Sequence, residues 1–226
     1  MKKIINMSLT PQEIQDNWEL FNSHIQKLEG NRKNQLSDFY KKYEERLALM
    51  PAANSAKYHS CFPGGYTFHV NKVIQSANIL YKVWEKMGAN MNTFTYDELL
   101  FSAINHDLGK MGDMFNEAYL PQEDKWRKDN LGELYSFNTK LSFMSVPDRS
   151  LFLLQQHEIQ VTQNEWVAIK THDGLYDKAN ESYLSSFLPE TKPRTVLPYI
   201  LHQADLMSAV IEFQDQYATD NKLIKK

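Results

Sequence analysis

Apolar residues recur along this chain at intervals of three and four, the spacing of one buried helix face. Trp18, Leu20, Phe21, Ile25 and Leu28 mark a first helix, with Gly30-Asn31 as its stop. It opens at Thr10-Pro11-Gln12-Glu13, a capping residue followed by a proline at a position that needs no N–H. Leu36, Phe39, Tyr40 and Tyr43 predict a second helix ending near Met50-Pro51. Residues 51–68 read as a loop with the strong turn signal Pro63-Gly64-Gly65. Val70, Val73, Ile74, Ala77, Leu80, Tyr81 and Trp84 then form the apolar face of a long helix from about Tyr66 to Met87. Leu99, Leu100, Ala103 and Ile104 lead a further helix from Tyr96 to His106-Asp107, with Gly109 as its end. Helices are also predicted from Pro147 toward His157, from Asn164 to His172, and from Leu197 to Phe213. No alternating stretch reads as a strand, and no repeat or low-complexity segment is present.

The expected fold class is therefore all-α. Only eight Gly and eight Pro among 226 residues favour helices over a turn-rich β fold, and 42% hydrophobic residues suffice for a sizeable core. The pattern divides the chain into an N-terminal helical cap over 1–50, a main domain over 51–215, and a tail over 216–226 expected to fray. An irregular, charged insert spans about 111–145. The polar N-terminal helices suit either a cap or a dimerisation arm, so both a monomer and a homodimer are compatible with the pattern. The single Cys61 excludes an internal disulfide framework and fits a reducing compartment. No apolar run approaches a membrane span, and the first residues do not read as a signal peptide, which makes a cytoplasmic location the expectation. A net charge of −3 gives no global attraction to a polyanion, so a long DNA duplex is not the expected partner.

The candidate chemistry lies in the histidines. His106-Asp107-Leu108-Gly109 places an imidazole beside a carboxylate that can bridge two ions, and Lys110 follows at once. His69, His157, His172 and Asp205 each sit at a predicted helix end or on an inward helix face, and His59 lies in the loop before them. The long, uneven gaps between them suit presentation from several helices to one point, as in helical-bundle metal sites, rather than the short loops of a zinc finger. Plainer readings exist for each: His157 as a surface residue beside Glu158, His172 as a partner of a helix dipole, His202 as structural. Asp205 sits among Leu201, Ala204, Leu206 and Met207, where an unpartnered carboxylate is costly. Lys125-Trp126-Arg127-Lys128 is either a solvated loop or a lid whose tryptophan stacks on a base and whose cations grip phosphates.

The order His, His-Asp, His, His, Asp resembles the HD-domain superfamily of metal-dependent phosphohydrolases. His59-Ser60-Cys61-Phe62-Pro63-Gly64-Gly65-Tyr66-Thr67-Phe68-His69 resembles the segment before the first ligand in HD-type exoribonucleases, and His106-Asp107-Leu108-Gly109-Lys110 resembles the central signature. Thr171-His172-Asp173-Gly174 resembles a later His-His-Gly stretch, with Asp173 in place of the second histidine. The resemblance spans about residues 50 to 213 and includes stand-alone HD proteins, some encoded by bacteriophages, for which the location would be the host cytoplasm.

That resemblance implies a helical bundle whose converging helices hold one or two divalent ions, drawn from Mn, Fe, Mg, Co, Ni and Zn. His69, His106, Asp107 and Asp205 would hold one ion, and Asp107 would bridge to a second bound by His157 and His172. It implies hydrolysis of a phosphoester in a nucleotide, cyclic nucleotide or short oligonucleotide. Asp107, Lys110 and His59 are the catalytic candidates, with Lys110, His59, Lys125, Trp126, Arg127 and Lys128 as substrate contacts. A diiron oxygenase on the same scaffold and a non-catalytic nucleotide-binding module are the alternatives.

Overall fold

A computed structural model of the chain describes residues 8–185 and 188–218. Among them the fold is all-α, built from α1 (Pro11–Ile25), α2 (Arg32–Lys42), α3 (Glu44–Leu49), α4 (Gly65–Lys86), α5 (Tyr96–Asn105), α6 (Val146–Gln156), α7 (Gln163–Thr171), the short α8 (Glu181–Leu184) and α9 (Leu197–Ala218). α9 continues past residue 216, where the tail was expected to begin; residues 1–7 and 219–226 lie outside the described residues. Among the described residues no helix is long and apolar enough to cross a membrane.

Three helices start with the same local device. Thr10 and Glu13, Thr95 and Glu98, and Thr162 and Glu165 form reciprocal capping boxes, each satisfying two otherwise orphaned N–H groups. The expected second helix is broken at Tyr43, whose backbone leaves the helical region, so α2 and α3 are separate. The insert is more ordered than its charge pattern suggests. β1 (Tyr119–Pro121) pairs antiparallel with β2 (Tyr135–Phe137), Leu120 opposite Ser136. Three-residue strands are too short to leave an alternating signature, so their absence from the sequence pattern has a simple cause. The insert is tied to the 51–64 loop, where the Asn54 carbonyl accepts from the Leu134 and Tyr135 N–H groups.

One hydrophobic cluster runs through the molecule. Phe21, Ile25, Leu36 and Tyr40 of the N-terminal helices are fully buried with Tyr66, Phe101, Ile104, Leu153 and Leu201. The N-terminal helices therefore share the core of the main helices. Tyr40 adds a polar tie by donating its hydroxyl to Asn105 Oδ1 at 3.0 Å, at the end of α5.

An ion network aligns α5 with α7. Arg32 donates to Glu165 at 2.6 and 2.8 Å and to Asp97 at 2.5 Å, with its guanidinium 4.4 Å over the Phe101 ring. Glu98 accepts from Thr162 Oγ1 at 2.7 Å. The two helix starts are thus locked side by side, and the helices end about ten residues later at His106 and His172. At that far end Ser150 of α6 donates to the His106 carbonyl and accepts the Gly109 N–H at 2.8 Å. Gly109 is required there, because a Cβ would lie 2.1 Å from the Val146 carbonyl oxygen.

Arg32→Ala leaves the buried Glu165 carboxylate without its cation. It is expected to destabilise the protein by about 3 kcal/mol in urea unfolding, and Glu165→Gln in the same chain is expected to recover part of that loss. A loss under about 0.5 kcal/mol would contradict this role for the network.

Candidate metal centre

Four helices deliver the cluster. α4 presents His69 one turn from its start, α5 ends at His106 and Asp107, α7 ends at His172 and Asp173, and α9 supplies Asp205 from mid-helix. His69, His106, Asp107 and His172 are all buried. The Asp205 and Asp173 side chains are 17% and 42% exposed, which puts the mouth of the site on their side.

Hydrogen bonds fix how the imidazoles face. His106 Nδ1 meets the Ala103 carbonyl at 2.8 Å and His172 Nδ1 meets the Ile169 carbonyl at 2.7 Å. A carbonyl only accepts, so each Nδ1 carries the proton and each Nε2 is left to bind. His69 Nδ1 is likewise taken, by Glu212 at 3.0 Å. All three Nε2 atoms then point at carboxylates. His69 Nε2 lies 3.0 Å from Asp205 Oδ1 and 3.7 Å from Asp107 Oδ2, and His106 Nε2 lies 3.6 Å from Asp107 Oδ2 and 3.8 Å from Asp205 Oδ1. His172 Nε2 lies 3.6 Å from Asp107 Oδ1 and 3.7 Å from Asp173 Oδ1.

These separations suit a shared cation. Two donors each about 2.1 Å from one ion stand roughly 3.0–3.4 Å apart at octahedral or tetrahedral angles; His69 to Asp205 falls in that range, and the other pairs, at 3.6–3.8 Å, would draw in by a few tenths of an ångström around an ion. His69, His106 and Asp205 form one group able to hold an ion, His106, Asp107 and His172 a second, and His172, Asp173 and Asp205 a third. His106 Nε2 supplies the sharpest test of fit. It is buried and has no hydrogen-bond partner. Such an atom costs about 1–3 kcal/mol unless something binds it, and a divalent cation among these carboxylates would.

Lys110 completes the charge balance. It follows the α5 end in a 3₁₀ turn (Leu108–Met111) and sets its ammonium against Asp107 Oδ2. Burial opposes the charge on Lys110, but Asp107 outweighs it and raises the pKa. Asp107 is held well below the usual carboxylate range, where Lys110 and His106 overcome the opposing effect of burial. Burial lowers His106 to about 4, so it stays neutral. For His69 burial works against protonation, yet Glu212 and Asp205 raise it to about 10; for His172, Asp173 and Asp107 likewise prevail over burial and raise it to about 9.

The structure brings together His69, His106, Asp107, His172, Asp205 and Lys110. His59 belongs beside them, its ring centroid 4.4 Å from that of His69 and its Nε2 buried without a partner; burial lowers it to about 3. His157 does not join. Its ring packs edge-on against Phe39 at 4.7 Å and Tyr43 at 5.8 Å, facing α2 rather than the cluster. The residue after it, Glu158, turns the chain with φ 56°, so His157 is the last residue before a bend and points away. Asp173, the residue in place of the second histidine of the resembled motif, does reach the cluster. Lys125, Trp126, Arg127 and Lys128 lie on an exposed turn of the insert, with Arg127 bound to Glu133 at 2.8 Å.

Two contacts were not evident from the pattern. Glu212 holds His69, and it lies seven residues beyond Asp205, on the same helical face. His202, read as structural, bonds through Nδ1 to the His172 carbonyl at 2.7 Å and so supports the turn that presents His172. Compared with known proteins, the chain matches no family model, no curated protein and no solved structure. What the cluster does is therefore to be read from its own atoms.

A metal ion bound at this centre would displace protons from His69 and His172, both of which are raised above their ordinary value. Calorimetry at pH 7 in two buffers of different ionisation enthalpy should show proton release, and apparent affinity should rise with pH. Both imidazoles are raised above their ordinary 6.5, so their contribution to folding without metal is fully present below that value. It is lost as pH climbs through about 9 and about 10, and thermal melting without metal should fall over that range. Saturating divalent metal should remove most of the fall; identical alkaline profiles with and without metal would contradict the assignment.

Proposed function

We propose that this chain is a metal-dependent phosphohydrolase of the HD type, cleaving a phosphoester of a nucleotide, cyclic nucleotide or short oligonucleotide. The observation that carries the reading is the buried His106 Nε2, partnerless and facing Asp107 and Asp205, with the Lys110 ammonium on the same carboxylate. The order of the converging residues along the chain, His69, His106-Asp107, His172 and Asp205, supports the family resemblance.

His69, His106, Asp107, His172 and Asp205 would hold the cation, with Asp173 at the exposed edge. A bound divalent ion supplies positive charge for phosphoryl oxygens and brings a water toward deprotonation near neutral pH. The chain's residues do the rest. Asp107 directs both carboxylate oxygens into the cluster, Oδ2 toward His106 and His69 and Oδ1 toward His172. Lys110, fixed by the short turn after α5, is the cation placed to meet a phosphoryl oxygen beside Asp107. His59 is neutral, with burial lowering it to about 3, so it holds no acidic proton for a leaving oxygen; its Nε2, uncommitted next to His69, can instead contact a phosphoryl oxygen.

Substrate selection would fall to groups outside the cluster. The net charge of −3 gives a long polyanion no general attraction, so binding depends on local groups. Trp126, 62% exposed, offers a face for a base, and the insert that carries it is bonded to the loop holding His59. Lys125 and Lys128 stand on the same exposed turn as Trp126 and add positive charge beside it.

Phosphate release from nucleotides, cyclic nucleotides and short RNA or DNA is to be measured with Mn, Fe, Co, Ni, Mg and Zn in turn. Asp107→Ala should lose both bound metal and turnover while keeping its helical circular dichroism. His59→Ala should keep metal and lose about tenfold in turnover, the worth of one hydrogen bond to phosphate. Turnover retained by an Asp107→Ala protein free of metal would overturn the reading.

A further inference from the structure

Glu212 is the one carboxylate of this region that neither the metal nor the catalytic reading uses. It is 2% exposed, and no Lys or Arg pairs with it among the described residues. A buried carboxylate without a cation costs several kcal/mol unless hydrogen bonds compensate. Both of its oxygens are committed. Oε1 lies 3.0 Å and Oε2 3.3 Å from His69 Nδ1, and Ser60 donates its hydroxyl to Oε2 at 2.6 Å. With its oxygens taken in this way, Glu212 is poorly placed to become a ligand of a second ion, although His59, His69 and Glu212 lie close enough to form such a group.

The arrangement around it is built rather than incidental. Asp205, Ser208 and Glu212 fall on one face of α9, at intervals of three and four. Ser208 bonds Ser76 of α4 at 3.0 Å and fixes the register between the two helices. In that register α9 holds the His69 ring at both ends, Asp205 on Nε2 and Glu212 on Nδ1. Ser60, on the far side of Glu212, has φ 49°, a left-handed conformation that a serine adopts at a cost of roughly 1–3 kcal/mol. Its carbonyl is held by the Ala52 N–H at 3.0 Å, and Gly65 leaves room for it, since a Cβ there would come within 2.0 Å of that oxygen. The strained residue is thus held in place by its neighbours, and what its side chain does is anchor Glu212.

We propose that Glu212 is a positioning residue for the metal centre, locking the His69 ring so that Nε2 faces the ion and strengthening that nitrogen as a donor, with Ser60 holding Glu212 in turn. The inference rests on the metal-centre reading and extends it to the residue behind His69. A carboxylate on the far nitrogen of a metal-bound imidazole fixes both tautomer and orientation, and its loss typically lowers metal affinity 10–100-fold. Because His59 immediately precedes Ser60 and its ring packs tilted against His69, the same clasp also sets the position of the His59 loop.

The test is Co(II) binding to the full chain by calorimetry, together with the ligand-field spectrum of the cobalt protein. Glu212→Met fills the same space without an acceptor and should weaken Co(II) about 10–100-fold with an altered spectrum. Glu212→Gln keeps an acceptor and should recover much of that loss, and Ser60→Ala should cost a smaller factor. The inference is overturned if Glu212→Met binds Co(II) as the unsubstituted chain does, with the same spectrum. It is also overturned if the Met and Gln variants lose affinity equally, since that is the mark of a packing role alone. A chain with its natural sequence that takes up no cobalt would instead overturn the metal centre, and this inference with it.

Discussion

Two carboxylates and three imidazoles share a small volume at the heart of this protein, and their mutual burial is the constraint on which the rest depends. Asp107 and Asp205 repel one another, and neither can be desolvated without positive charge nearby. The chain supplies part of that charge with Lys110 and part by protonating His69 and His172. His106 is left neutral and without a partner. A cluster balanced in this way by protons is one that a divalent cation can take over.

The scaffold explains how such a cluster can be held. α5 and α7 begin with the same Thr-x-x-Glu device, are fastened at that end by Arg32, Glu98 and Thr162, and finish in the same dipeptide, His106-Asp107 and His172-Asp173. Each histidine spends Nδ1 on the carbonyl three residues back, so two separate segments offer Nε2 with the same local geometry. α9 crosses this pair and α4, adding carboxylates from one face. The rigidity of the site therefore begins about fifteen ångströms away, at the capping boxes, given the 1.5 Å rise per helical residue.

Much of this was legible in the residues. The all-α class followed from apolar spacing, and the start of the first helix followed from capping chemistry at Thr10. The cluster itself followed from putting His69, His106, Asp107, His172 and Asp205 at helix ends or on inward faces. What failed has physical causes. His157 sits where α6 gives way to a left-handed Glu158, and a ring one residue before such a bend takes its direction from packing, here Phe39 and Tyr43, rather than from periodicity. Glu212 carried the same signal as Asp205, a carboxylate set among Val210, Ile211 and Phe213 two turns further along the helix, and that signal could have found it. The β1–β2 pairing depends on contacts with the 51–64 loop, and three-residue strands carry no pattern of their own.

The claim tested most directly is that one divalent ion is shared by these side chains. Anomalous diffraction from crystals soaked in Mn or Zn measures it without reference to any reaction. The account predicts a strong peak within about 2.3 Å of His106 Nε2 and of an Asp107 oxygen, with His69 or His172 and Asp205 completing the shell. A saturated crystal with no peak between those atoms, or with the metal bound only at surface carboxylates, would contradict it.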